Sequence, residues 1–294
     1  MVRLRPDIPS VLSRFERPPL TRFAPSPTGY LHLGHVVNAI YVWGIARALG
    51  GRVLLRVEDH DRLRSQSEYE SALVGDLDWL GFVADAGRHP LLRQSDDDSA
   101  YAEALERLRR THHVYACDCS RKDIGGERYP GTCRHRRLEE RAGRGLRVQI
   151  DPGGERFVDG LLGPQEQAPA GDYGDLLIRD RDGHWTYQWS VTVDDDRQDV
   201  TAVIRGTDLL SSTGRQIRLA RMIGRAEAPT FFHHPLVLKA SGEKLSKSSR
   251  DTGVRELCDA GLTPEDVIGQ AAAAVGLLDV AHPVAAASVQ ELFV

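Results

Sequence analysis

The chain contains 294 residues, of which 41% are hydrophobic and 27% are charged, and it carries a formal net charge of −4. This composition is ordinary for a soluble globular protein, and the length allows one large domain or two smaller ones. The slightly acidic balance excludes a uniformly basic surface, so any RNA-binding patch has to be local.

Neither terminal region predicts a membrane segment or a secretion signal. Residues 1–20 carry arginines but no apolar core, so we expect a short mobile extension rather than a signal peptide. The longest apolar stretch near the C-terminal end, 271–289, is interrupted by Asp279, His282 and Pro283, which excludes a membrane span. These features predict a cytoplasmic protein.

The first part of the chain alternates between strand and helix patterns. Residues 20–27 predict a strand that runs into a proline-rich turn, and 52–59 predict a nearly continuous apolar strand, as in a sheet covered on both faces. Residues 31–50 and 67–82 show the apolar spacing of helices. This strand–helix–strand–helix order is typical of a parallel α/β sheet.

The pattern changes after a further predicted helix at 99–110. Residues 113–186 contain three of the four cysteines, many glycines and short strand patterns, which indicates an inserted module. A strand and a helix return at 199–210, followed by an apolar strand at 231–238 and helical patterns over 263–293. We therefore expect four parts: an extension (1–20), a Rossmann-type α/β domain with a parallel sheet (21–112 and 187–240), the inserted module (113–186), and a basic loop with a short C-terminal helical segment (241–294).

The sequence HLGH places two histidines at the predicted start of a helix. His32 and His35 are three residues apart, so they share one helix face, and Gly34 lets a ligand approach the backbone. The unpaired N–H groups of a helix N-terminus favour an anion. Two such histidines alone are more often structural or merely exposed than functional, so this motif needs support elsewhere in the chain.

The distribution of lysines provides that support. Of the 38 basic residues, only four are lysines and 34 are arginines, yet Lys239, Lys244 and Lys247 lie within nine residues. Lysine offers a compact charge on a flexible stem, which suits a mobile phosphate. HLGH follows the first predicted strand and KLSKS (244–248) follows the last, and in an open α/β sheet ligands bind at the carboxyl ends of strands. The two motifs together predict a site for a triphosphate.

Four sequence stretches together resemble the motifs of class I aminoacyl-tRNA synthetases of the glutamyl type. In chain order they are RFAPSPTGYLHLGH, RVEDHDRLRS, VDDDRQDVTAVIRGTDLL and EKLSKS, and the resemblance spans about residues 21–250. HLGH and KLSKS occupy the places of the two ATP-binding motifs of that class, with Leu33 for the usual isoleucine and Leu245 for the usual methionine. The resemblance implies a ligase built on a Rossmann-type fold.

The resemblance also implies the chemistry. In this class the amino-acid carboxylate attacks the α-phosphorus of ATP and pyrophosphate leaves, while the protein contributes positions and charges rather than a nucleophile. His32, Gly34 and His35 are expected to bind the ATP phosphates. Lys247, and secondarily Lys244, are expected to neutralise the charge that develops on them, and Mg²⁺ is expected to accompany the nucleotide.

A glutamate pocket is the further implication of the resemblance. Arg22 and Arg205 are expected to pair with the substrate side-chain carboxylate, because a guanidinium binds a carboxylate in bidentate fashion and offers no acceptor to the amide of glutamine. Glu58 is expected to accept the α-ammonium group. Asp194 and Asp195 also match the family motif, but we expect them to be structural carboxylates that cap a helix or face water. The complete predicted pocket is Arg22, Phe23, Ala24, Pro25, Ser26, Glu58, Tyr187 and Arg205.

Three cysteines lie close together in the inserted module. Cys117, Cys119 and Cys133 offer three of the four ligands of a structural zinc ion, which would stabilise an insert that is rich in loops. From the residues alone His135 is the better fourth ligand, and three reduced thiols without a metal are the alternative. The resemblance to the short glutamyl-type enzymes implies Tyr129 instead, and Tyr129 is our prediction.

The inserted module is expected to hold the acceptor end of an RNA. Its basic run, 133–147, either binds phosphates or forms a solvated face in which Glu139 and Glu140 pair with arginines, and the sequence leaves both open. The remaining cysteine, Cys258, is expected to be an ordinary core thiol.

The predicted substrate depends on the length of chain after KLSKS. Only 46 residues follow Ser248, too few for the large helical anticodon-binding part of an ordinary glutamyl-tRNA synthetase. The resemblance therefore favours a short family that activates L-glutamate without tRNA and esterifies it to queuosine at the wobble position of tRNA(Asp). We expect a monomer that uses ATP, L-glutamate and tRNA(Asp) bearing queuosine. The alternatives are an enzyme that charges a tRNA 3′ end, a synthetase-like regulator without catalysis, and another HxGH nucleotidyltransferase.

Overall fold

The computed structural model describes residues 6–237 and 253–294. Its helices are α1 Ile8–Leu12, α2 Leu33–Ala48, α3 Ser67–Leu80, α4 Ser99–Arg109, α5 Arg121–Ile124, α6 Pro169–Asp172, α7 Tyr187–Arg197, α8 Thr213–Met222, α9 Val254–Asp259 and α10 Pro264–Ala274. Its strands are β1 Leu20–Phe23, β2 Arg52–Leu55, β3 Val114–Cys117, β4 Gly145–Val148, β5 Glu155–Asp159, β6 Gly163–Gln167, β7 Leu176–Arg179, β8 Ala202–Gly206 and β9 Thr230–His234. Short 3₁₀ segments lie at Gln94–Asp96, Thr207–Ser212 and Ala286–Leu292.

Four strands in two parallel pairs form the centre of the molecule. β1 pairs with β2, and β8 pairs with β9. The two pairs meet where β8 lies beside β1, next to a hydrogen bond from the backbone N–H of Thr201 to the carbonyl of Leu20. Most residues of these strands are buried, as their continuous apolar patterns predict. The predicted Rossmann-like α/β fold with parallel strands is confirmed.

Helix α2 packs against this sheet and aims its N-terminus at the edge where the strands end. Within 36–46 every residue except Asn38 is buried, because the helix is apolar on all sides. On its far side the helix contacts the C-terminal 3₁₀ segment, where a side chain at Gly44 would collide with the ring of Phe293. The helix is therefore enclosed on both sides, which fixes the position of its first turn.

The region predicted as an inserted module contains two small antiparallel sheets. One has the strand order β3–β4–β7, and the other is the β5–β6 hairpin. Their core is shared with the helices around the parallel sheet: Leu146 and Ile178 pack with Tyr101 of α4, Trp189 of α7 and Leu219 of α8. This shared core fixes the module against the rest of the protein.

Two elements near the parallel sheet differ from their sequence patterns. Residues 8–12, expected in a mobile extension, form a helix whose Val11 is buried in the main core. The strand predicted to continue to 238 ends at His234, because Pro235 has no N–H for a further ladder hydrogen bond.

The C-terminal part is less helical than its pattern predicts. After α10 the chain continues without regular structure to the 3₁₀ segment at Ala286–Leu292. A side chain at Gly269 of α10 would collide with the carbonyl oxygen of His282, so this irregular segment lies directly on the helix. Cys258, expected in the core, is instead exposed on α9. Every helix in the described part of the chain lacks the combination of length and apolar character that crossing a bilayer requires.

Candidate functional site

A cavity of about 520 Å³ opens where the four parallel strands end. It is lined by the residues that follow each strand and by the first turns of α2 and α7. Ten of the residues that the sequence assigns to the site come together in its lining: Arg22, Ala24, Pro25, Ser26, His32, Gly34, His35, Glu58, Tyr187 and Arg205.

Three predicted residues are not among those ten. Phe23 lies on the opposite face of β1 from Arg22, because side chains alternate along a strand, and its ring packs 5.2 Å from that of Trp43 in the core. Lys244 and Lys247 lie outside the described residues.

One half of the cavity is built by the N-terminus of α2. His32 caps the helix: its Nδ1 accepts from the N–H of Gly34 at 3.1 Å, and the Nδ1 of His35 accepts from the N–H of His32 at 3.1 Å. Because both Nδ1 atoms accept, the proton of each neutral ring is on Nε2. The two rings lie side by side, with centres 4.0 Å apart.

Gly34 is required by this arrangement for a reason that the sequence does not show. A Cβ at this position would lie 2.9 Å from Cε1 of His32, so any larger residue would displace the imidazole. Both ends of the segment that carries KLSKS also lie here: Val237 lines the cavity, and the backbone of Gly253 pairs with that of His32.

The other half of the cavity contains a row of buried charges. The Nε of Arg22 donates to Oδ1 of Asp195 at 3.1 Å, and Nη1 of Arg56 donates to the same oxygen at 2.8 Å. Nη2 of Arg56 donates to Oε1 of Glu58 at 2.9 Å. Burial alone would raise the pKa of Asp195, but the charges of Arg22 and Arg56 hold it below its ordinary value. Asp195 is therefore an anion that fixes both arginines.

The two aspartates of α7 neither cap a helix nor face water, contrary to expectation. Asp194 is fully buried and accepts from Nε2 of Gln94 at 2.7 Å and from the hydroxyl of Tyr101. Burial raises the pKa of Asp194, although Arg56 acts in the opposite direction. Together Asp194 and Asp195 lie beneath the arginine half of the cavity, and both face Arg56.

Arg205, at the end of β8, is held by three acceptors. Its Nε donates to Nε2 of His233 at 3.0 Å, Nη1 donates to Oε1 of Gln216 at 2.7 Å, and Nη2 donates to Oγ1 of Thr213 at 2.8 Å. A guanidinium has five N–H groups, so at most two of those on Arg205 can turn toward a ligand. Tyr187 lies in the same lining, and burial raises the pKa of its hydroxyl, which keeps it neutral.

Two residues that hold the site, Arg56 and His233, are absent from the sequence predictions. A signal exists for Arg56, since it interrupts the apolar run of the strand predicted at 52–59, and a charge inside a buried strand requires a buried partner. His233 gives no comparable signal, because its partners are distant in the sequence.

The predicted metal ligands also come together. The sulfur atoms of Cys117, Cys119 and Cys133 all lie within 4.8 Å of one another. Sγ of Cys119 lies 3.5 Å from Sγ of Cys133, and Sγ of Cys117 lies 3.5 Å from the hydroxyl of Tyr129. A tetrahedral zinc ion with thiolate bonds of about 2.3 Å separates its ligands by roughly 3.8 Å, so these four side chains fit such an ion. The guanidinium of Arg147 lies 3.8 Å from the centre of the Tyr129 ring, a cation–π contact that packs the ring in place.

The structure also places His135, the alternative fourth ligand, and the basic run 133–147. His135 is not part of the cluster of metal-ligating side chains within the described residues, so the geometry favours Tyr129. In the run 133–147, Glu140 forms a bidentate pair with Arg109, and Arg144 donates to the carbonyl of Glu139. Of the two glutamates in this run, Glu140 is thus paired with an arginine, whereas Glu139 accepts through its backbone.

Comparison with known proteins agrees with this geometry. Residues 20–269 match the family of class I tRNA synthetases (E and Q), catalytic domain. The chain is similar to the glutamyl-Q tRNA(Asp) synthetase of Symbiobacterium thermophilum, with 39% identity over 287 residues that cover 90% of this chain and 88% of the relative. It is also similar to the glutamyl-Q tRNA(Asp) synthetase of Dechloromonas aromatica, with 44% identity over 239 residues and 78% of each chain covered.

A solved structure shows the same fold. The crystal structure of glutamate-tRNA synthetase from Elizabethkingia anophelis superposes with a TM-score of 0.78 at 25% sequence identity, over 94% of this chain. The chain spans 65% of the length of that enzyme.

Proposed function

The chain belongs to the class I tRNA synthetases of the glutamate and glutamine group, within the family of glutamyl-Q tRNA(Asp) synthetases, and we propose that it joins L-glutamate to queuosine of tRNA(Asp). It is an enzyme of the ligase type. In the proposed reaction glutamate is first activated with ATP, without tRNA, and the glutamyl group is then transferred to the wobble nucleoside. One observation carries the proposal: a single cavity joins a helix N-terminus with two donor histidines to a pocket with two buried arginines and a carboxylate.

The arginine half is suited to glutamate. Arg22 and Arg205 can bind the side-chain carboxylate with charged N–H groups, and Glu58 can accept the α-ammonium group. Both arginines are donors only and both are at least nine-tenths buried, so the amide of glutamine would leave its own N–H₂ facing a donor. An unpaired contact of this kind strongly disfavours glutamine.

The helix half is suited to the phosphates of ATP, which members of this class use with Mg²⁺. The Nε2–H groups of His32 and His35 and the N-terminus of α2 can donate to phosphate oxygens. When the glutamate α-carboxylate attacks the α-phosphorus, the bond to pyrophosphate breaks, and these donors stabilise the negative charge of the transition state. We assign Lys247, and secondarily Lys244, to the same charge, since both ends of their segment lie at the cavity.

For the cysteine cluster we propose a structural zinc ion held by Cys117, Cys119, Tyr129 and Cys133. The ion would join β3 to the loop that follows it. The purified protein is expected to contain one equivalent of zinc by metal analysis, and Cys133→Ser is expected to lose the zinc and melt at a lower temperature. The control Cys258→Ser changes an exposed thiol outside the cluster and should retain both. Protein that lacks zinc but melts like the zinc-loaded form would overturn the proposal.

The reaction is tested in two steps. Glutamate-dependent exchange between ATP and pyrophosphate should proceed without tRNA, and its absence would favour a regulator without catalysis. Labelled glutamate should then appear on tRNA(Asp) that carries queuosine and not on the same tRNA without it. Equal labelling of both would favour charging of the tRNA 3′ end instead.

A further inference from the structure

A chain of buried hydrogen bonds runs from the β5–β6 hairpin to the arginine pocket. Asp159 is the last residue of β5, and its Oδ2 lies 2.6 Å from Nδ1 of His233 on β9. Nε2 of the same ring accepts from Nε of Arg205 at 3.0 Å. The side chains of Asp159 and His233 are both fully buried, and Arg205 is 4% exposed. The contact therefore links an element outside the parallel sheet to a residue of the cavity.

The geometry fixes the protonation of this histidine. The other carboxylate oxygen of Asp159 accepts from the backbone N–H groups of Leu161 and Leu162, so the carboxylate is anchored in place as an acceptor. It can only accept, which puts the proton of His233 on Nδ1 and leaves Nε2 as an acceptor for Arg205. Burial lowers the pKa of His233, and together with the charge of Arg205 it outweighs the opposite effect of Asp159, so the ring stays neutral at neutral pH.

From these contacts we propose that Asp159 and His233 are positioning residues, which orient the Arg205 guanidinium toward the side-chain carboxylate of glutamate. This inference rests on the proposed function. His233, with Gln216 and Thr213, fixes the plane of the guanidinium, so that the remaining N–H groups keep one direction. The pocket thus depends on the hairpin, although no atom of the hairpin lines the cavity.

The hairpin is seated closely enough on β9 for this role. The N–H of Gly160 donates to the carbonyl of Phe231 at 2.7 Å. A Cβ at Gly160 would lie 2.2 Å from the ring of Phe232, so the backbone of the turn lies directly against the strand. Without the Asp159 carboxylate the His233 proton can move to Nε2, where it would point at the N–H of Arg205 and turn the guanidinium away.

The test is the variant Asp159→Asn, which keeps the shape and can keep the backbone bonds from Leu161, Leu162 and His233 but removes the charge that selects the tautomer. The KM for glutamate in pyrophosphate exchange is expected to rise about 10- to 100-fold, while the KM for ATP stays within about twofold. The preference for glutamate over glutamine should fall. His233→Gln, whose amide oxygen can still accept from Arg205, should recover part of the glutamate affinity that His233→Leu loses.

The matched control is Asp180→Asn on the surface of the same module. Asp180 also accepts two backbone N–H groups and faces a histidine, His184 at 3.4 Å, but the pair is partly exposed and lies outside the cavity. It should behave like wild type. An unchanged glutamate KM in folded Asp159→Asn would overturn the inference, as would ¹⁵N NMR showing His233 of the wild type protonated on Nε2. If the proposed function itself is wrong, the wild type will show no pyrophosphate exchange. That outcome differs from a wild type that is active and an Asp159→Asn variant with an unchanged KM.

Discussion

The two halves of the cavity are built in different ways. The histidine half comes from four consecutive residues, and its hydrogen bonds join residues two or three positions apart. The arginine half depends on contacts over long distances in the chain: Arg22 and Asp195 are 173 positions apart, and Arg56 and Asp195 are 139 apart. A local arrangement can be predicted from a motif, whereas the second arrangement exists only once the fold has formed.

The halves differ in their electrostatics as well. In the histidine half, the hydrogen bonds join backbone N–H groups to imidazole nitrogens rather than opposite charges. In the arginine half Arg22 and Arg56 are paired with buried carboxylates, because an unpaired ion in the interior is very costly. Substitutions in the arginine half should therefore act mainly on stability, whereas substitutions in the histidine half should act mainly on activity.

The largest effect is expected from Arg56→Met, which removes the cation shared by Glu58, Asp194 and Asp195. Burial alone would lower the pKa of Arg56, but these carboxylates together raise it, so the network strongly favours the charged form. Loss of one partner from a buried ion pair reduces the free energy of unfolding by about 3–5 kcal/mol. Urea unfolding followed by circular dichroism measures this change.

The control for this variant is Arg62→Met. Arg62 pairs with Asp98 at 3.2 Å, but both side chains are more than half exposed, so its loss should change the free energy of unfolding by less than about 1 kcal/mol. Equal losses in the two variants would contradict the view that the arginine half depends on buried charge. If Arg56→Met does not fold, Asp195→Asn serves as the milder variant, with a smaller but still measurable loss.

A second prediction concerns the residue that joins the halves. His234 on β9 stacks on Tyr41 of α2 at 4.9 Å, and its Nε2 lies 3.0 Å from the side-chain oxygen of Asn38. Burial lowers the pKa of His234 to about 4, against about 6.5 in an unfolded chain. Between these values the unfolded state binds a proton that the folded state does not. Keeping His234 neutral therefore costs no stability above about pH 6.5. As the pH falls from 6.5 toward 4, proton binding favours the unfolded chain and the free energy of unfolding decreases.

The expected slope from this one residue is about 1.4 kcal/mol per pH unit, or roughly 2 kcal/mol between pH 6.5 and pH 5. Urea unfolding at several pH values should show a steeper loss of stability in the wild type than in His234→Gln. The exposed His282, changed to Gln, serves as the control and should leave the slope as in the wild type. Identical slopes for wild type and His234→Gln would argue against a buried neutral histidine at the junction.

The same contrast explains what could be predicted from the sequence. The alternation of apolar strands with helices predicted the parallel α/β core, and the spacing in HLGH predicted that His32 and His35 share the first turn of a helix, because both depend on neighbours along the chain. The burial of Asp194 could not be predicted, since a run of carboxylates on a helix ordinarily faces solvent. Its partners Gln94 and Tyr101 are 100 and 93 positions away, and no periodicity connects them.

The smallest effect, and the sharpest comparison, involves two glycines in helices. Gly34→Ala is expected to gain up to about 1 kcal/mol of helix propensity and to lose a similar amount when the new Cβ displaces the capping ring of His32. Its stability should therefore change little, while pyrophosphate exchange should slow about tenfold. Gly75→Ala in α3 is the matched control: it is exposed, and a Cβ there meets no atom within 4 Å, so the variant should gain stability without losing activity. If the histidine half depends on local geometry, Gly34→Ala should lose activity without a matching loss of stability, and Gly75→Ala should not lose activity. Equal exchange rates in the two variants would show instead that the ring can shift without cost.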